Sequence, residues 1–243
     1  MKRWLLLALL PFGLAASELR PARDFLSPAM RAQQDDPSRH PGWLWVDEGE
    51  ALWARGTPSC QSCHGAIATM AGVAARYPAV AADGALLNLE GRIERCRTQH
   101  QAQPAFGYES EPLLALSTAI AQRSRGMPVA VATDGPAAPF VEEGRQFFAT
   151  RQGQLNLSCG QCHDDNTGRR LRGDVISNGL GTGYPAYRLE WNTMGSLHRR
   201  LRACPLGVRA TQFSLGSPEY LTLELYLASR ATGLPMEAPG LRR

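Results

Sequence analysis

The sequence predicts an all-α protein made of two tandem copies of one helical unit, each carrying long loops. Three observations predict it. The motif Cys60-Gln61-Ser62-Cys63-His64 returns as Cys159-Gly160-Gln161-Cys162-His163. A helical segment precedes each motif and an amphipathic one closes each repeat. No stretch shows the strict apolar–polar alternation of a half-buried strand.

The opening helices come first. Val46-Asp47-Glu48-Gly49-Glu50-Ala51-Leu52-Trp53 has helical character with acids in its first turn, where the helix dipole favours them. Val141-Glu142-Glu143-Gly144-Arg145-Gln146-Phe147-Phe148 repeats that text before the second motif. The closing helices are read from Glu111 and Pro218, with Ser110 and Ser217 as N-caps and a Pro in each first turn. Leu113, Leu116 and Ile120 form one apolar face, and Tyr220, Leu223 and Leu227 form its match. Gly126 and Gly233 are expected to end these helices. An internal repeat of roughly 100 residues results. The expected boundaries are an export segment 1–17, an extended polar arm 18–40, a first unit 41–126, an Ala/Pro/Gly-rich linker 127–139 and a second unit 140–243.

The repeated motif carries the chemistry. Cysteines three apart lie on one side of a helical turn. Both thiols can therefore reach the vinyl groups along one porphyrin edge. The adjacent His then supplies the proximal nitrogen to iron. A redox pair or a zinc site are the alternatives, but neither requires a His at this place. Two covalently bound haem c groups are expected, attached through Cys60 and Cys63 and through Cys159 and Cys162, with His64 and His163 as proximal ligands.

Export agrees with this cofactor. Lys2 and Arg3 precede an apolar run from Trp4 to Leu14, and Ala15-Ala16-Ser17 offers small residues for cleavage. This reads as a secretory signal peptide, too short for a membrane span, so a periplasmic protein without a membrane span is expected. The net charge is +4, and the arginines are not interleaved with aromatics. That argues against nucleic acid and suits small anions or an acidic protein partner.

On the far side of each iron the sequence leaves choices. Met70, Met127, His100 and Cys96 are available in the first unit, and Met194, His198 and Cys204 in the second. Cys96 and Cys204 each precede a closing helix in similar text, Arg92-Ile93-Glu94-Arg95-Cys96 and Arg200-Leu201-Arg202-Ala203-Cys204. Equivalent positions favour equivalent work, thiolate ligation of each iron, over a disulfide between them. His198, Arg199, Arg200, Arg202 and Arg209 surround Cys204 in sequence. Cations lower a thiol's pKa and bind oxyanions. Arg200 sits one helical turn before Cys204, so both face one pocket.

The order helix, motif, loops, closing helix resembles class I cytochrome c domains, in which the first and last helices cross. Gly49 and Gly144 stand where such a crossing needs a small residue. The text Gly183-Tyr184-Pro185-Ala186-Tyr187-Arg188-Leu189-Glu190-Trp191 and Gly195-Ser196-Leu197-His198-Arg199-Arg200-Leu201-Arg202-Ala203-Cys204 resembles the A subunits of the SoxAX cytochromes, as do Gly216-Ser217-Pro218-Glu219-Tyr220 and Leu223-Glu224-Leu225-Tyr226-Leu227. The resemblance implies an L-cysteine S-thiosulfotransferase. It would join thiosulfate to a cysteine of the carrier SoxYZ, pair with the small cytochrome SoxX, and pass two electrons to a downstream cytochrome c. It also implies Cys204 as distal ligand and active-site cysteine, usually persulfidated, Arg200 as substrate-binding residue, and His64 with Cys96 at the first haem. A dihaem electron carrier without catalysis and a carrier-independent thiosulfate dehydrogenase are the rival readings.

Overall fold

The computed structural model describes residues 19–171 and 173–243. The expected export segment lies outside the described residues. The first half runs α1 (Pro28–Asp35), α2 (Trp43–Ala54), α3 (Cys60–His64), β1 (Ala79–Val80), β2 (Leu86–Leu87), α4 (Leu89–Gln99) and α5 (Glu111–Gln122). The second half runs α6 (Ala138–Ala149), α7 (Cys159–His163), β3 (Arg170–Leu171), β4 (Asp174–Val175), β5 (Ala186–Arg188), β6 (Thr193–Gly195), α8 (Leu197–Gly207), α9 (Pro218–Arg230) and β7 (Gly240–Arg242).

Two helix crossings organise the chain: α2 packs on α5, and α6 packs on α9. A Cβ on Gly49 would strike the Ala115 carbonyl, and one on Gly144 the Thr222 carbonyl. The serine caps are present, with Ser110 Oγ accepting from Leu113 N–H and Ser217 Oγ from Tyr220 N–H. The two expected apolar faces are buried. Helix α5 is in fact buried from Leu113 to Ala121, on every side, because the second unit covers the face turned away from α2. The core is accordingly continuous, joining Trp53, Leu116 and Ile120 to Leu225 and Ala231.

Several expectations change. α2 begins at Trp43 rather than Val46, so Asp47 and Glu48 fall outside its first turn. The strongly exposed Leu44 hides that extra turn from a periodicity reading. The closing helices stop at Gln122 and Arg230, short of Gly126 and Gly233. Those glycines, at positive φ, instead open a strap between the units. Gly126 N–H donates to the Met236 carbonyl at 2.8 Å and Gly233 N–H to the Val129 carbonyl at 2.9 Å. The segment 127–139 is thus tied down, with Val129, Val131 and Ala137 buried.

The N-terminal arm is not extended. It holds a 3-10 turn at Ala22–Phe25 and then α1. The buried Gln34 accepts from Leu241 N–H at 3.0 Å, and the buried His40 meets the Pro239 carbonyl at 3.1 Å. Short strands also occur, in pairs β1–β2 and β3–β4 and a sheet ordered β6-β5-β7 with β5–β6 antiparallel and β5–β7 parallel. At two or three residues each they are too short to leave an alternation in sequence.

The repeat is closer in space than in text. Tyr77-Pro78 leads into β1, β2 and α4, and Tyr184-Pro185 leads into β5, β6 and α8. The Ala75 carbonyl accepts from Ala130 N–H and the Thr182 carbonyl from Glu237 N–H, both at 2.8 Å. α4 is capped by Asn88 and α8 by Ser196. Counted from these caps, Arg92 matches Arg200 and Cys96 matches Cys204.

The crossing yields a prediction. Gly144→Ala drives a methyl into the Thr222 carbonyl and is expected to cost about 1–3 kcal/mol of stability, as overpacking does. Urea denaturation of the haem-loaded protein measures it.

Candidate functional site

Each Cys-x-x-Cys-His motif is one helical turn fixed by a capping box. Ser59 and Ser62 bond reciprocally at α3, as do Ser158 and Gln161 at α7. Two of the orphan amides at each helix start are thereby satisfied, and the turn presents its cysteines on one side. Trp53 lies against the His64 ring, centroids 5.8 Å apart, and donates its indole N–H to the Gly65 carbonyl at 2.9 Å. Phe148 occupies the corresponding place on α6, beside Gly160 and Tyr226.

The second centre gathers residues from three parts of the chain. His163 at the end of α7 holds its Nδ1 2.7 Å from the Ser177 carbonyl. That bond places the ring proton on Nδ1, fixes the ring plane and leaves Nε2 free as a donor to a metal. Gly179 has a φ of +74°, and a Cβ there would lie 2.9 Å from the His163 ring. The loop passes this close to the imidazole only because that residue is glycine.

Opposite, α8 brings Arg200 and Cys204 to one face. Burial raises the Cys204 thiol's pKa, but the His163 side chain, Arg200 and Arg188 outweigh it, and the net shift is downward. Burial likewise opposes the charge on Arg200, yet Cys204, Tyr184, Glu190 and Asp174 hold the guanidinium protonated. The spacing therefore located three partners, Cys204, Arg200 and His163, that the fold brings together. It did not locate Arg188. This buried arginine on β5 pairs with Glu190 at 3.2 Å, and no local pattern marks it.

The first centre has the same frame and a different field. Cys96 lies near Cys63 and Cys60, and Gln101 Nε2 sits 3.6 Å from Cys60 Sγ. Burial raises the Cys96 thiol, and Arg92 only partly opposes it. Arg92 is exposed where Arg200 is half-buried, so solvent weakens its pull.

The other distal candidates are placed elsewhere. Met194 is fully buried among Leu114, Tyr187 and Leu241. His198 is buried with both ring nitrogens engaged, Nδ1 accepting from Gly216 N–H at 3.0 Å and Nε2 facing Glu224 at 2.9 Å. His100 is exposed at the end of α4, and Met127 is partly exposed beside Gly72. Met70 packs beside the first core cluster. All six cysteines are free, so Cys96 and Cys204 do not pair.

With the geometry in place, comparison with known proteins is decisive. The model of the SoxA/TsdA cytochrome c domain matches residues 48–129 and 143–236. The chain belongs to the SoxA/TsdA cytochrome c family. Within it, the chain is 39% identical over 231 residues to the L-cysteine S-thiosulfotransferase subunit SoxA of Rhodovulum sulfidophilum, covering 93% of this chain and 80% of that one. It is 37% identical over 223 residues to the SoxA subunit of Paracoccus pantotrophus, covering 90% and 77%. A chain in the crystal structure of SoxXA from P. pantotrophus superposes with a TM-score of 0.89 at 36% identity, covering 93% of this chain and 87% of that one. These relatives place the chain among the SoxA subunits of L-cysteine S-thiosulfotransferase. A cytochrome c domain of this family implies haem c, and the thiols and oriented imidazole of α7 are the donor set such a group takes. Among the described residues, no helix is long and apolar enough to cross a membrane.

Gly179→Ala is expected to push the His163 ring off the Ser177 carbonyl. The Nδ1 proton would then exchange faster with solvent, which NMR of the reduced, haem-loaded protein reads.

Proposed function

We propose that the chain is the dihaem, catalytic A subunit of a SoxAX complex acting on thiosulfate. Cys60 and Cys63 would attach the first haem, with His64 and Cys96 as its axial ligands. Cys159 and Cys162 would attach the second, with His163 and Cys204. The reaction couples the outer sulfur of thiosulfate to a cysteine thiol of the carrier SoxYZ. A sulfur–sulfur bond forms, the thiol proton leaves, and two electrons are released with the S-thiosulfonate product. The haem supplies a one-electron outlet when bound.

The observation that carries this reading is that Arg200 and His163 both act on Cys204. Arg200 offers a fork of N–H donors that matches the sulfonate end of thiosulfate in bidentate fashion. Cys204 lies one turn further along the same face, beside the place where the outer sulfur would sit. Its lowered pKa favours the thiolate, the form that bonds to sulfur. Arg188, pinned by Glu190, adds positive potential behind Cys204 without reaching for the substrate. By analogy with the SoxXA relative, a SoxX cytochrome would be the partner subunit and a soluble cytochrome c the final acceptor. The complex would work in the periplasm, to which the N-terminal segment would direct it.

Removing the Cys204 sulfur tests the assignment. Cys204→Ala is expected to abolish SoxYZ-dependent turnover while mass spectrometry still finds both haems attached. Arg200→Gln is expected to lower kcat/KM for thiosulfate by about 10- to 100-fold, the worth of a charge-assisted hydrogen bond. Retained activity in Cys204→Ala would sink the catalytic role. Tetrathionate formed without carrier would favour the carrier-independent dehydrogenase.

A further inference from the structure

A cavity of about 60 Å³ is lined by residues of both units. Equivalent residues face each other across it, Tyr77 and Tyr184, Leu89 and Leu197, Ala121 and Ala228. It has room for a few water molecules. Two carboxylic acids break its symmetry. Glu90, on α4, stands at the position that His198 fills on α8. Glu224, on α9, stands where α5 has Ser117.

Glu224 is well partnered. Its Oε2 accepts from Asn88 Nδ2 at 3.1 Å and faces His198 Nε2 at 2.9 Å. Glu90 is not. Its residue is 6% exposed, and its carboxyl finds only its own backbone amide while lining the cavity. The groups around it are Glu224 from α9, His198 from α8, and Glu109 and Tyr108 from the segment before α5. Burial lowers the His198 pKa, and Glu224 raises it to a net upward shift. A second ring proton would nevertheless break the bond from Gly216. His198 is the basic side chain that acts on Glu90, and while its Nδ1 accepts from Gly216 N–H it carries no second proton.

We infer that Glu90, with Glu224 beside it, is an internal proton-binding site in the cavity lined by both units, taking up a proton when an electron enters either centre. The negative charge arriving with the electron makes the carboxylate a better base. An O–H bond forms at the carboxylate with a proton drawn from bulk water through the cavity, and the proton returns on reoxidation. Thiosulfate coupling supplies the electron, so the redox part of the inference rests on the function proposed above. Burial and Glu224 push the Glu90 pKa up to about 7, which puts the exchange near neutral pH. The sign for stability follows. An unfolded Glu loses its proton near pH 4.5, whereas the folded one keeps it until about 7. The native state therefore holds the extra proton in that window, and stability falls as pH rises through it.

The experiment compares wild type, Glu90→Gln and Glu90→Asp as haem-loaded protein from about pH 5 to 8.5. Midpoint potentials by spectroelectrochemistry are expected to fall with pH in wild type and in Glu90→Asp, and to be flat near pH 7 in Glu90→Gln. In urea, Glu90→Gln is expected to match wild type near pH 5 and exceed it at pH 8. Should Glu90→Gln not fold, infrared spectra of wild type decide: a protonated-carboxyl stretch lost between about pH 6 and 8 supports the site. Equal pH slopes in wild type and Glu90→Gln, or no such carboxyl band, would overturn the inference. A chain that carries no haem would overturn the proposed function and the redox coupling, and the urea comparison would still report on Glu90.

Discussion

Gly49 against the Ala115 carbonyl, and Gly144 against the Thr222 carbonyl, set how closely each opening helix can approach its closing helix. With any larger residue the axes would separate, and the loop after the opening helix would no longer return over the crossing. That loop carries α3 or α7, so the position of each Cys-x-x-Cys-His turn depends on a contact made several turns away. The capping serines then fix the turn locally. Hydrophobic burial drives the packing, but the missing side chains decide its geometry.

The same frame used twice surrounds its two cysteines with different fields. Cap, arginine and cysteine recur at the same intervals on α4 and α8. What differs is the depth of the arginine and the company it keeps. Arg200 is half-buried and faces Cys204 together with Arg188. Arg92 stands in solvent, and no second cation reaches Cys96. The His163 side chain leads in lowering the Cys204 pKa, with Arg200 and Arg188 behind it, whereas at Cys96 burial outweighs Arg92. A charge acts more strongly where water is excluded, so the deeper Arg200 adds to a shift that Arg92 cannot produce.

Much of this was legible in the chain because it is local. Helix caps, a one-turn Arg–Cys spacing and a five-residue motif are all written within a few positions, and repetition made them stand out. What was missed depends on distant partners. The strands are two or three residues long, and in the largest sheet β7 returns to β5 from the far end of the chain. The polar arm's helix has a local Ser27 cap, but the arm folds back because Gln34 and His40 find buried partners near residue 240. Ser177, Gly179 and Arg188 reach the second centre only through loop geometry, and nothing in their own text announces it.

Glu90 shows the same limit most sharply. At the second position of a helix capped by Asn88, a glutamate is the residue that the dipole favours, and sequence alone would leave it in solvent. Folding instead turns it inward, because the first turns of α4 and α8, through Leu89, Glu90 and Leu197, line one cavity. Each helix start brings a positive dipole end. The acids Glu90, Glu224 and Glu109 gather at that junction, with Glu109 accepting from Ser196 N–H at 2.9 Å and lying 3.6 Å from Arg199. Helix starts favour negative charge, and burial makes that charge costly to keep. A carboxyl that can take up a proton meets both conditions.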